Sequence, residues 1–184
     1  MARIHLVRHG RAAAGFGEGM DPGLDELGKS QAVAVADKLK PLGPLTILSS
    51  PLRRTQETAA PLARQWSRTP IIEHAVAEIP SPKGMSLEER ALWLRTLMAG
   101  SWRDAGRDLE AWRAACVAIV AALPEDAVIF SHYVAINVLM GSAIGDDRVV
   151  TFSPENCSVT LFDNVGGKPR LIEKGNEAPL TKVN

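Results

Sequence analysis

Two hydrophobic patterns alternate along the chain. Short apolar runs near residues 2–8, 45–49 and 127–132 read as buried strands, with a brief one near 70–73. Two further runs, near 158–163 and 169–174, follow late in the chain. Between them lie longer segments of helical spacing, near 25–39, 51–66, 86–98, 106–123 and 133–144. In the first of these the apolar positions are Ala32, Val33, Val35, Ala36 and Leu39, and Pro41 and Gly43 stop it. Pro61 predicts a kink within the second. Ser86-Leu87-Glu88-Glu89 has the form of a capping box, which starts the third.

Alternating strands and helices predict an α/β fold with a mostly parallel sheet and helices on both faces. Asn164-Val165-Gly166-Gly167 predicts a hairpin between the last two strands, so one sheet edge is expected to be antiparallel. Residues 79–84 hold Pro80, Pro82 and Gly84 and read as a loop, and the tail after Gly175 is expected to be poorly ordered. No repeat or low-complexity segment interrupts the pattern, and 184 residues suit a single domain spanning 1–184.

Three of the strand ends carry chemistry. The first run ends on Arg8-His9-Gly10, where an imidazole adjoins a guanidinium and a glycine permits a sharp turn. Arg8 can grip a phosphate oxygen and His9 can attack phosphorus. The second run leads into Ser49-Ser50-Pro51-Leu52-Arg53-Arg54, which places arginines at a helix start. The macrodipole disfavours cations there, and a bound phosphate would reverse that penalty. The third run ends on Ser131-His132. Singly, each is as well explained as a solvated polar residue. If the strands are parallel neighbours, Arg8, His9, Arg54 and His132 converge at the carboxyl ends of one sheet, where α/β folds place their ligands.

The ordered set of motifs resembles the histidine phosphatase superfamily, with its phosphoglycerate mutase-like fold. Leu6-Val7-Arg8-His9-Gly10 matches the first motif, and Asp21 to Ala32 resembles the segment that follows it. Ser50-Pro51-Leu52-Arg53-Arg54 with Thr58-Ala59 matches the second, and its register selects Arg54 as the phosphate-binding arginine. Ser131-His132 matches the second histidine, and Asn156-Cys157-Ser158-Val159-Thr160 resembles the late strand entrance. The resemblance implies a three-layer α/β/α sandwich and a phosphatase that needs no metal or other cofactor and works through a phosphohistidine on His9. Arg8, Arg54 and His132 would hold the phosphoryl oxygens. Glu78 stands where relatives carry an acid, although the Gly-x-Trp-Glu-Gly run that often follows is missing. Glu18 and Asp21 are the reserve candidates. Tyr133 and Val134 replace the glycines usual after the second histidine, which would narrow the pocket mouth.

Composition limits the partners. Lysine plus arginine equals aspartate plus glutamate, 21 of each, so no global field recruits nucleic acid or an acidic membrane. Two cysteines, Cys116 and Cys157, fit reduced thiols in a cytoplasmic protein. Neither a signal peptide nor a membrane span is expected. The four histidines, at 5, 9, 74 and 132, lack zinc-motif spacing. The four tryptophans read as helix-packing residues, with Trp93 and Trp102 flanking a variable middle region. The expected partner is a phosphorylated small molecule or phosphoprotein, and oligomeric state is left open. A mutase and a non-catalytic phospho-ligand module are the rival readings. Lys83, Arg90 and Arg95 are candidates for a second anionic group, against the plainer account of a solvated helix face.

Overall fold

The computed structural model describes residues 1–14 and 21–179. Glu18 and most of the 11–21 loop lie outside the described residues. In chain order the main elements are β1 (Arg3–Arg8), α1 (Glu26–Leu39), β2 (Thr46–Ser49), α2 (Arg53–Trp66) and β3 (Ile71–Ile72). There follow α3 (Leu87–Met98), α4 (Glu110–Ala122), β4 (Ala127–Ser131), α5 (Tyr133–Ile144), β5 (Val159–Asp163) and β6 (Arg170–Glu173). The strands form one sheet in the order β3-β2-β4-β1-β5-β6. Pairing is parallel across β3, β2, β4 and β1, and antiparallel from β1 to β5 and from β5 to β6.

Strand alternation sorts side chains between two apolar layers. Val7, Ile47, Val128 and Phe130 face α1 and α2, packing on Val35, Leu39, Ala59 and Leu62. Ile4, Leu6, Leu48 and Ile129 face the other side, against Val120 of α4 and Ile136, Leu139 and Met140 of α5. The central strands are therefore apolar on both faces, which is why they read as continuous hydrophobic runs. α5 is buried along nearly its whole length and has no polar face to mark it in the sequence. A third cluster joins α3, through Leu94 and Leu97, to Trp102, Leu109, Cys116 and Val138.

Local signals hold where they rest on capping. Asp25 accepts the Gly28 N–H at the start of α1, and Ser86 and Glu89 form the complete capping box of α3. α2 runs unbroken through Pro61. α4 starts at Glu110, later than the apolar spacing predicts, because Gly106 has φ +77° and keeps the preceding segment out of the helix. Residues 176–178 are tied down: Ala178 N–H donates to Ser153 O at 2.8 Å, and Asn176 O accepts from Glu155 N–H at 2.8 Å. The expected disorder directly after Gly175 is thus displaced by backbone pairing. Trp66 and Trp102 are buried, and Trp102 stacks near Trp112 with ring centroids 6.3 Å apart.

Candidate active site

Register brings the site together. Arg8 of β1 pairs with Ser131 of β4, and Ser49 of β2 pairs with Phe130. His9 and His132 therefore leave the sheet side by side, and Ser50 leaves it one residue earlier, opposite Ser131. The backbone fastens this edge: His9 N–H donates to Ser131 O at 3.0 Å and Ser50 N–H to Phe130 O at 3.0 Å. The imidazole centroids of His9 and His132 are 5.2 Å apart, tilted by 58°.

His9 is buried, and its Nδ1 lies 2.7 Å from Gly10 O. A carbonyl only accepts, so Nδ1 carries the proton and Nε2 holds a lone pair. That Nε2 accepts from Arg54 Nε at 3.3 Å. Burial, and then the charges of Arg54 and Arg8, hold the His9 imidazole well below its ordinary titration range. Neutral His9 thus presents an unprotonated nitrogen beside a guanidinium. Gly10 lets the chain pass close to α1, since a Cβ there would come within 2.7 Å of Gly28 O. Gly10 N–H donates to Thr58 Oγ1 at 3.0 Å, and Asn156 Nδ2 donates to His9 O at 3.0 Å.

Arg8 is 2% exposed, an unusual depth for a guanidinium. Its Nη1 donates to Pro154 O at 2.8 Å, and its guanidinium carbon lies 5.0 Å from the Tyr133 ring centroid. Tyr133 is itself buried, with its hydroxyl donating to Ser153 Oγ at 3.2 Å. The expectation that Tyr133 and Val134 narrow the pocket mouth is corrected: both side chains are core residues, and Tyr133 braces Arg8.

Arg54 and Arg53 separate cleanly. Arg54 sits on the buried side of the first turn of α2, beside His9. Arg53 points outward and pairs with Glu57 at 2.6 Å, its side chain 66% exposed. Asp21 accepts the Arg53 N–H at 2.9 Å and lies 3.9 Å from Arg54 Nη1, so a carboxylate supplies negative charge at this helix start.

His132 is wholly buried, with Nε2 2.7 Å from Ser50 Oγ. Burial, then the proximity of His9, Arg54 and Arg8, holds it well below its ordinary range. Glu78 follows a single helical turn at His74–Val76 and is buried. One carboxyl oxygen accepts the Ile79 N–H at 3.0 Å. Burial raises its pKa, opposed by Ile79 N–H and by the charges of Arg54, Arg8 and Arg90. Two side chains hold the segment that carries it: Ser131 Oγ donates to Val76 O at 2.7 Å and Cys116 Sγ to Ala75 O at 2.8 Å.

Arg8, His9, Arg54, His132 and Glu78 are thus brought into one electrostatic neighbourhood. Arg90 joins its edge: its charge acts on Arg54 and Glu78, and its Nε donates to Ser81 Oγ. Lys83 is exposed, and exposed Arg95 donates to Ala91 O at 3.3 Å within its own helix. Residues missed by sequence reasoning are the supports, namely Tyr133, Thr58, Ser131, Cys116 and Asn156. Thr58, Ser131 and Asn156 carried a signal, being part of the recognised motifs. Two neutral imidazoles, two guanidiniums and a carboxyl held toward its protonated form can bind a tetrahedral oxyanion and move its protons.

A family model described as "Histidine phosphatase superfamily (branch 1)" matches residues 4–177. The chain belongs to this superfamily. Over 184 aligned residues it is 28% identical to a probable phosphoglycerate mutase GpmB of Enterobacter sp., covering 89% of this chain and 85% of that protein. It is 42% identical over 67 residues to a glucosyl-3-phosphoglycerate phosphatase of Mycobacterium tuberculosis, covering 34% of this chain and 30% of that one. It also spans about half, 51%, of an uncharacterized protein of that organism, at 35% identity over 114 residues and 60% of this chain. Among solved structures it shares its fold with YhfR of Bacillus stearothermophilus at TM-score 0.77 and 17% identity, covering 97% of this chain and 98% of that one. A phosphoserine phosphatase of Entamoeba histolytica, in complex with 3-phosphoglyceric acid, has TM-score 0.74 and 22% identity, with 97% and 98% covered. Among the described residues no helix is long and apolar enough to cross a membrane.

Proposed function

We propose that the chain is a phosphatase that hydrolyses a phosphorylated small molecule through a phosphohistidine on His9. The observation that carries this reading is the His9 ring, with Nδ1 bonded to Gly10 O and Nε2 beside Arg54. The Nε2 lone pair attacks phosphorus while the bond from phosphorus to the substrate oxygen breaks. Arg8, Arg54 and His132 hold the nonbridging oxygens and offset their transition-state charge. Glu78 gives its proton to the leaving alkoxide. As a carboxylate it then takes a proton from water, the water oxygen attacks phosphorus, and the P–Nε2 bond breaks to free the enzyme.

Burial suits Glu78 to this cycle because it keeps a carboxyl protonated at higher pH than in water. Arg8 and Arg54, with a hydrogen bond from His132, supply the charge stabilisation that a metal supplies elsewhere, so the proposed reaction proceeds without one. Arg90, whose charge reaches Arg54 and Glu78, suits a substrate with a second anionic group. Two free cysteines, one buried and one half-buried, fit a reducing cytoplasm.

Rapid quench with a radiolabelled phosphomonoester tests the reading. It should trap an acid-labile, base-stable phosphoprotein that is lost in His9→Ala, and turnover should survive exhaustive chelation. Turnover without that phosphoprotein, or a rate restored only by one metal, would overturn it. A mutase is the second reading, favoured by the 89% coverage in the GpmB alignment. Phosphoryl return to 3-phosphoglycerate rather than to water would establish it.

A further inference from the structure

We propose that Ser50 is a positioning residue that fixes His132 as the neutral Nδ1–H tautomer, so that the two histidines present opposite faces to one phosphoryl group. Ser50 is wholly buried. Its Oγ accepts the Leu52 N–H at 3.2 Å and lies 2.7 Å from His132 Nε2. The hydroxyl hydrogen needs an acceptor. The carbonyl of Ser50 already accepts from Ser49 Oγ at 3.0 Å, and the Thr55 hydroxyl, also 3.0 Å from it, has the nearer Leu52 O at 2.6 Å. Among the described residues, His132 Nε2 is the acceptor left to it.

The chain of donors then has one sense. Leu52 N–H donates to Ser50 Oγ, Ser50 O–H donates to His132 Nε2, and the ring proton sits on Nδ1. That Nδ1 is buried and takes no hydrogen bond among the described residues. Its N–H is a donor held for an oxyanion. The opposite tautomer would direct Nε2–H at Ser50, leave the hydroxyl hydrogen without an acceptor, and turn a lone pair toward phosphoryl oxygens.

His9 shares the Nδ1–H tautomer, yet its proton is turned away to Gly10 O and its lone pair is offered. His132 turns its lone pair to Ser50 and offers its proton. One ring is thereby a nucleophile and the other a donor, 5.2 Å apart. The parallel pairing that sets Ser49 beside Phe130 brings the ends of β2 and β4 together, and there Ser50 Oγ reaches His132 Nε2. The consequence for catalysis rests on reading the site as a phosphoryl pocket; the tautomer itself does not.

Nitrogen-15 NMR of the histidine rings near neutral pH tests the proposal, with His132→Gln assigning the signals. His132 should show a protonated Nδ1 and an unprotonated Nε2. A protonated Nε2 in the wild-type protein would overturn it. In Ser50→Ala the His132 signals should move to a tautomer mixture, and vanadate should inhibit p-nitrophenyl phosphate hydrolysis about tenfold more weakly. Ser50→Thr, which keeps the hydroxyl, should restore the wild-type ring signals. An unchanged tautomer and vanadate affinity in Ser50→Ala would also overturn it. If no phosphate ester is hydrolysed at all, the hydrolase reading fails while the ring measurement still decides the tautomer.

Discussion

The strand-end half of the site and its carboxyl arm are built differently. Arg8, His9 and His132 leave the ends of adjacent central strands, and Arg54 opens the helix that follows a third. Each is held by a bond to backbone or to a neighbouring side chain, such as Gly10 O for His9, Pro154 O for Arg8 and Ser50 Oγ for His132. Glu78 instead sits beyond a single helical turn, and two side chains, Ser131 and Cys116, tie that turn to β4 and α4. A phosphate cradle needs fixed charge, because its value lies in not reorganising during reaction. An acid that must give and then take a proton needs instead a tuned pKa, which burial supplies. The contrast predicts sharp losses when the cradle is cut and substrate-dependent losses when the arm is.

The largest effect is expected for His9→Ala, which should abolish turnover in steady-state assays while circular dichroism and melting show an intact fold. Arg54→Ala should follow, costing about 2–4 kcal/mol of transition-state stabilisation in kcat/KM. Glu78→Gln breaks the comparison along another axis. It should slow alkyl phosphates strongly and p-nitrophenyl phosphate little at the phosphorylation step, because nitrophenolate leaves without a proton. Equal losses on both would move the acid role elsewhere. Ser131→Ala should lower alkyl phosphate turnover with a smaller loss, since it loosens the acid arm and leaves Val76 O without its donor, worth about 1–3 kcal/mol. Arg53→Ala should be nearly silent, as an exposed ion pair of this spacing contributes about 0.3–0.5 kcal/mol.

Acidity sharpens the same contrast. His9 and His132 titrate well below 6.5 in the folded protein, while the unfolded chain protonates them near that value. Their stability is therefore complete above about 6.5 and is lost as pH falls toward the folded pKa. Glu78 has the opposite sign: its raised pKa favours folding below its unfolded value near 4.5 and loses that contribution as pH rises through the folded pKa. Melting of the ligand-free protein should decline on acidification below about 6.5, and vanadate should reduce that decline by favouring charged imidazoles. In kcat/KM for alkyl phosphates, the alkaline limb should disappear in Glu78→Gln.

Much was legible in the chain. Strands apolar on both faces announced a buried parallel sheet, and Ser86-Leu87-Glu88-Glu89 announced its own helix cap. These signals are local, fixed by side-chain period and by hydrogen bonds a few residues apart. Arg8-His9-Gly10, Arg54 and Ser131-His132 were legible as strand-end or helix-start chemistry, with the motif register choosing Arg54 over Arg53. Tertiary structure decided what depends on distant partners. It placed Tyr133 beneath Arg8, although its neighbours in sequence pointed to the pocket mouth. It pinned residues 176–178 through Ser153 and Glu155. It set the partner of the second imidazole, because Ser50 Oγ stands 2.7 Å from His132 Nε2 across the site, whereas His9 Nδ1 meets Gly10 O, its own neighbour in the chain. Sequence supplies the groups that can titrate and donate; desolvation and register, which arise only when the strands align, determine which of them do.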